Sequence, residues 1–97
     1  MKHVKRVEII VEALEKQTII NLLKTHNLEH YTLYKHLAGH GERGMREDQI
    51  FSEKFENVAI VLACAEEVIA ELIESIRPVL KKYGGICLVS DAQWVIH

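Results

Sequence analysis

The chain is expected to fold as an α+β ferredoxin-like βαββαβ sandwich, an antiparallel sheet with two helices on one face and a long loop between its second and third strands. Three observations carry that expectation. Apolar residues recur at helical spacing over 13–24 and 66–83, and these stretches alternate with β-branched or aromatic runs in the order strand, helix, strand, strand, helix, strand. The segment 38–54 follows neither period and is long for a connection inside a small domain. With 97 residues, 48% of them hydrophobic and 27% charged, the chain has the composition of one globular domain, 1–97.

Taken in order, Val4 to Val11 is rich in β-branched residues, and its alternation turns into a continuous apolar run, as in a strand covered on both faces. Ala13 to Lys24 sets Ile19, Ile20, Leu22 and Leu23 against Glu15, Lys16, Asn21 and Lys24, which predicts an amphipathic helix ending near His26-Asn27. Tyr31 to Leu37 reads as a second strand running directly into the glycine-rich stretch, and Phe55 to Cys64 as a third. The intervening stretch is then a long hairpin connection.

Glu66 to Tyr83 has the clearest helical period, with Ile69, Leu72, Ile73, Ile76, Leu80 and Tyr83 at three- and four-residue steps. Glu66 and Glu67 suit its first turn, Lys81 and Lys82 its last, and Gly84 its end. Pro78 lacks the amide that would bond back to Glu74, which predicts a bend or a restarted last turn. Ile86 to Ser90 reads as a fourth strand, Asp91-Ala92-Gln93 as a turn, and Trp94-Val95-Ile96 as a short terminal strand. Helices on one face leave the other bare, and three strands apolar on both faces make self-association through that face the expected outcome.

A net charge of -2 gives no general attraction for nucleic acid or anionic membrane. No apolar run reaches the length of a membrane span, and the Met-Lys-His start leads into a charged strand pattern instead of a signal core, so a cytoplasmic address is expected. Cys64 and Cys87 lie inside apolar runs and read as buried thiols in a reducing compartment.

The segment from Leu37 to Lys54 is the part of the chain that asks for a function. Gly39, Gly41 and Gly44 allow its backbone to approach a ligand, and Arg43 and Arg46 offer charge-assisted bonds to phosphate or carboxylate. From the residues alone three readings stay open: an anion or nucleotide site, a protein-contact loop, and a flexible hairpin with no ligand. Gly84 and Gly85 are open in the same way, either as a helix end and turn or as amides facing the loop base across a subunit interface. The six histidines show no paired metal spacing; His36 and His40 are close, and His40 reads better as a ligand-contacting group. Neither Ser52 nor Ser90 has a histidine at a telling offset, so nothing calls for an enzyme. Tyr31, Tyr34 and Trp94 read as sheet or interface packing before base stacking.

Tyr31-Thr32, then Gly39-His40-Gly41 with Arg43-Gly44, then the ending from Lys82-Tyr83-Gly84-Gly85 through Ile86 to Trp94, resemble the P-II signalling superfamily over essentially the whole chain. The resemblance is to its carboxysome-associated, bicarbonate-linked branch. It implies a homotrimer that binds an adenine nucleotide in the clefts between subunits, with the long connection as the T-loop whose shape reports what is bound. It places Thr32 beside the adenine, Gly39, His40 and Gly41 at the T-loop base around the phosphates, and Gly84 and Gly85 at the B-loop across the interface. The B-loop lacks a longer Gly- and Lys-containing phosphate wrap, the T-loop has no tyrosine to modify, and the chain stops at His97 without a basic C-terminal loop. These departures favour AMP or ADP over ATP or cyclic AMP, with bicarbonate as a candidate second ligand. They point to a protein target such as an inorganic-carbon transporter, away from nitrogen control. The alternative expectation is a structural or protein-interaction trimer, with a metal at His36 or His40 and no nucleotide.

Overall fold

The computed structural model describes residues 1–38 and 56–97. Its elements are β1 (Lys2–Glu12), a 3-10 turn (Ala13–Glu15), α1 (Lys16–Thr25), β2 (Thr32–Leu37), β3 (Asn57–Cys64), α2 (Glu66–Tyr83) and β4 (Ile86–Trp94). The four strands form one antiparallel sheet in the order β2-β3-β1-β4, which is the ferredoxin-like βαββαβ arrangement.

Residues paired across an antiparallel ladder point to the same side. The register Val7↔Leu62, Ile9↔Ile60 and Val11↔Val58 therefore defines one face, and all six of these side chains are buried. Ile19 and Leu23 of α1 and Leu72 and Ile76 of α2 close over that face, each almost fully withdrawn from solvent. At about 1.5–3 kcal/mol per buried aliphatic side chain, this one-sided layer is the main source of stability. The two helices are also joined directly: His26 Nε2 lies 2.8 Å from Ser75 Oγ, and that hydroxyl donates to the carbonyl of Glu71 at 3.1 Å.

The opposite face carries Arg6, Glu8 and Ile10 of β1 with their partners Ala63, Val61 and Ala59, and Ser90, Leu88 and Ile86. Leu88, Ile86, Tyr34 and Trp94 are each about half exposed or more there.

Three sequence expectations change. β4 continues through Asp91, Ala92 and Gln93 to Trp94, in unbroken register from Ile10↔Ile86 to Lys2↔Trp94, so no turn lies at 91–93. The polar residues there are those of an edge strand, and Asp91 forms an ion pair with Lys5 on β1. The first helix begins as a 3-10 turn, with the α-helix proper starting at Lys16. α2 runs unbroken from Glu66 to Tyr83 through Pro78 without restarting; Pro78 and its neighbour Arg77 lie on the exposed side. Phe55, the expected start of the third strand, lies outside the described residues.

Candidate functional site

Two regions of the sheet hold the residues singled out by sequence. The first is the end where β2 finishes and β3 begins. Leu37 pairs with Asn57, which pairs in turn with Glu12, so the described residues nearest to 39–55 are stitched to the end of β1. Glu56 is held at its backbone, its carbonyl accepting the Ala13 amide at 2.6 Å. Its carboxylate is held too: His36 Nδ1 lies 2.6 Å from Glu56 Oε2. His36 has φ 59°, and the β2–β3 ladder slips between Tyr34 and Leu37 around it. Histidine is one of the side chains that tolerate the left-handed region, at a cost of about 1–2 kcal/mol. Sequence reading weighed His36 only with His40 and missed this partner. Their positions flanking the glycine-rich stretch were the available signal.

At the same end of the sheet, on its other edge, α2 stops at Gly84, whose amide donates to the Leu80 carbonyl at 2.8 Å. Gly84 and Gly85 both have positive φ, 84° and 112°. Thus the helix-end reading of Gly84 holds, and Gly85 turns the chain into β4 directly beside Ile10 and Val11.

The second region is a trough of about 530 Å³ on the open face, lined by Val4, Arg6, His30, Thr32, Ala63 and Trp94 among others. Small side chains from three strands make its floor. Thr32 stands on one rim, opposite Val61 in the ladder, and Trp94 on the other. Arg6 is the cation of this trough and is shared with Glu8, Nη1 to Oε2 at 3.2 Å.

Thr32 lies on one edge strand and Gly84-Gly85 adjoin the other, three strand spacings or about 14 Å apart across the sheet. One chain does not bring them together. Gly39, His40, Gly41, Arg43 and Arg46 lie outside the described residues.

The thiols of Cys64 and Cys87 are pushed up from their ordinary titration range by burial, which keeps them protonated and unreactive. Among the described residues no three His, Cys, Asp or Glu side chains gather as metal ligands. No helix among them is long and apolar enough to cross a membrane.

The sequence profile described as "Nitrogen regulatory protein P-II" matches residues 4–96. No curated protein matches in sequence. Among solved structures, CPII, a nitrogen regulatory PII-like protein from Thiomonas intermedia K12, bound to ADP, AMP and bicarbonate, is 31% identical over 95% of this chain and 88% of its own, with a TM-score of 0.84. The same protein bound to ADP and bicarbonate gives 29% identity over 95% and 88% of the two chains and a TM-score of 0.82. Its apo form gives 27% over 95% and 91%, with a TM-score of 0.78.

Proposed function

The chain belongs to the family of nitrogen regulatory proteins P-II, regulatory and not catalytic proteins, and from that premise we propose that it is a homotrimeric sensor of adenine nucleotide and bicarbonate. ADP or AMP occupies the clefts between subunits, and occupancy orders residues 38–54 so that a protein target, such as an inorganic-carbon transporter, is bound or released in the cytoplasm. The observation that supports this most is the likeness over nearly the full chain to CPII, whose solved complexes hold ADP, AMP and bicarbonate.

The sheet geometry gives the proposal its form. Thr32 and the Gly84-Gly85 pair lie at opposite edges of one sheet, so a ligand touching both takes them from two neighbouring subunits. Thr32 then sits by the adenine, and the amides of Gly84 and Gly85 adjoin the phosphates. Gly39, His40 and Gly41 form the base of the loop, with Arg43 and Arg46 supplying positive charge to phosphate or bicarbonate. Fixing a glycine-rich charged segment costs conformational entropy, and an anion bonded to its amides and arginines offsets that cost. Ligand occupancy is thereby converted into loop shape, an order-disorder device.

Calorimetry against AMP, ADP, ATP and cyclic AMP, each with and without bicarbonate, tests the reading together with light scattering for assembly. The expected result is three chains of 11.1 kDa per particle and binding of ADP or AMP that bicarbonate strengthens. A particle of one chain, or no heat from any nucleotide at millimolar concentration, overturns it. The latter result with an intact trimer leaves the protein-interaction role.

A further inference from the structure

We propose that His36 is a positioning residue for ligand binding, acting through Glu56 as a proton-sensitive tie between the end of β2 and the start of β3. What binds at that end rests on the function proposed above. The tie itself stands on three observations of the described residues.

The first is the contact, His36 Nδ1 to Glu56 Oε2 at 2.6 Å. The second is the backbone. Asn27 and His36 are the two non-glycine residues with positive φ among those described. Asn27 lies just past the end of α1, where a left-handed residue commonly closes a helix. His36 lies inside a strand, where no helix end asks for that conformation, at the one place where the β2–β3 ladder slips, between Tyr34 and Leu37. The third is that the two halves of the tie are unequally held. Glu56 is fixed by the Ala13 amide, and the next residue, Asn57, is in register with Glu12, whereas the His36 side chain is 78% exposed. The carboxylate carried on this anchored backbone therefore holds the strained residue, and with it the direction in which β2 leaves the sheet.

The sign of the pH dependence follows from the chemistry of the pair. A neutral imidazole can donate its Nδ1–H to a carboxylate, and a protonated one adds charge attraction to the same bond. Protonating the imidazole therefore tightens the tie, and lower pH favours that protonation. Other charged groups on the adjoining elements are Lys35 on β2, Glu12 on β1, Glu15 in the 3-10 turn and Lys16 at the start of α1. Among the described residues, Glu56 is the one ion-pair partner His36 has. Both partners reach solvent, which limits the effect to that of an exposed pair, about two- to fivefold.

The test uses the full chain and ADP in bicarbonate-free buffer, with affinity measured at about pH 6 and about pH 8. The variants are His36→Asn, which keeps a side chain suited to the left-handed region but does not titrate, Glu56→Gln, and the double substitution. Because ADP and other histidines titrate as well, the quantity read is the ratio of the two affinities, native against variant. Either single substitution is expected to reduce that ratio about two- to fivefold, and the double substitution to reduce it no further. An unchanged ratio in His36→Asn overturns the tie.

Should the native chain bind no ADP, the proposed function fails and the tie is judged by amide exchange at Leu37 and Asn57. Greater protection in the native chain than in Glu56→Gln at each pH, with the wider gap at the lower one, supports it. Equal protection overturns it.

Discussion

A Cβ placed on Gly85 would stand 2.6 Å from the carbonyl oxygen of Ile10 and 3.0 Å from Cγ1 of Val11. Glycine is thus required there by the packing of β4's first turn against β1, before any ligand is considered. Gly85→Ala is expected to lose about 2–4 kcal/mol of stability, from a left-handed backbone together with a contact against main chain that does not yield. Urea unfolding with and without ADP checks this. The loss should appear in full without ADP, whereas a glycine kept only for phosphate contact would lose ADP binding and leave the ligand-free midpoint in place.

Lys5 and Asp91 pair across β1 and β4, and each shifts the other. The hydrogen bond with Lys5 lowers the titration of Asp91, and the hydrogen bond with Asp91 raises that of Lys5. For the lowered acid, the stabilisation is present above its unfolded value and fades as pH falls through the folded one. For the raised base, it is present below the unfolded value and fades as pH rises through the folded one. The pair therefore supports the fold between about pH 4 and pH 10. Asp91→Asn should lower the urea midpoint at neutral pH and converge on the native chain under acid.

The bond between His26 and Ser75 joins the end of α1 to the middle of α2. Since the Ser75 hydroxyl donates to Glu71, the imidazole Nε2–H donates to Ser75. Ser75→Ala should cost about 0.5–1.5 kcal/mol, read as a lower thermal midpoint, and leave ADP affinity untouched.

Leu88 projects from the open face opposite Glu8 and is 55% exposed in the single chain. Leu88→Lys places an ammonium where Glu8 can receive it in an isolated subunit, but where a neighbouring sheet would strip it of water. Light scattering should find the mass of one chain, and circular dichroism should find the secondary structure intact.

How much of this was legible beforehand varies with the range of the interaction responsible. α2 was readable nearly to the residue because its period, its terminal charges and Gly84 are all local signals. β1 and β3 were readable because an apolar run has few other fates. The last third of β4 was not. Asp91 and Gln93 look like turn residues until Lys5 and His3 are seen beside them on β1, and that pairing is a matter of sheet register. The tie between His36 and Glu56 escaped for the same reason, with twenty positions separating its halves. Of the site residues expected from sequence, the structure describes Thr32, Gly84 and Gly85, and it shows them at opposite edges of the sheet; the convergence proposed for them would be a property of an assembly, which no single-chain pattern encodes.

The pairing of Lys2 with Trp94 has an orientational consequence. It sets the outer limits of the folded unit at one pole of the sheet, while Leu37 and Asn57 sit beside Glu12 at the other, ten residues or about 33 Å along β1. A reporter or tether attached beyond Trp94 thus hangs from the far side of the molecule. Immobilised through that handle, the protein would present its opposite pole freely to whatever it meets.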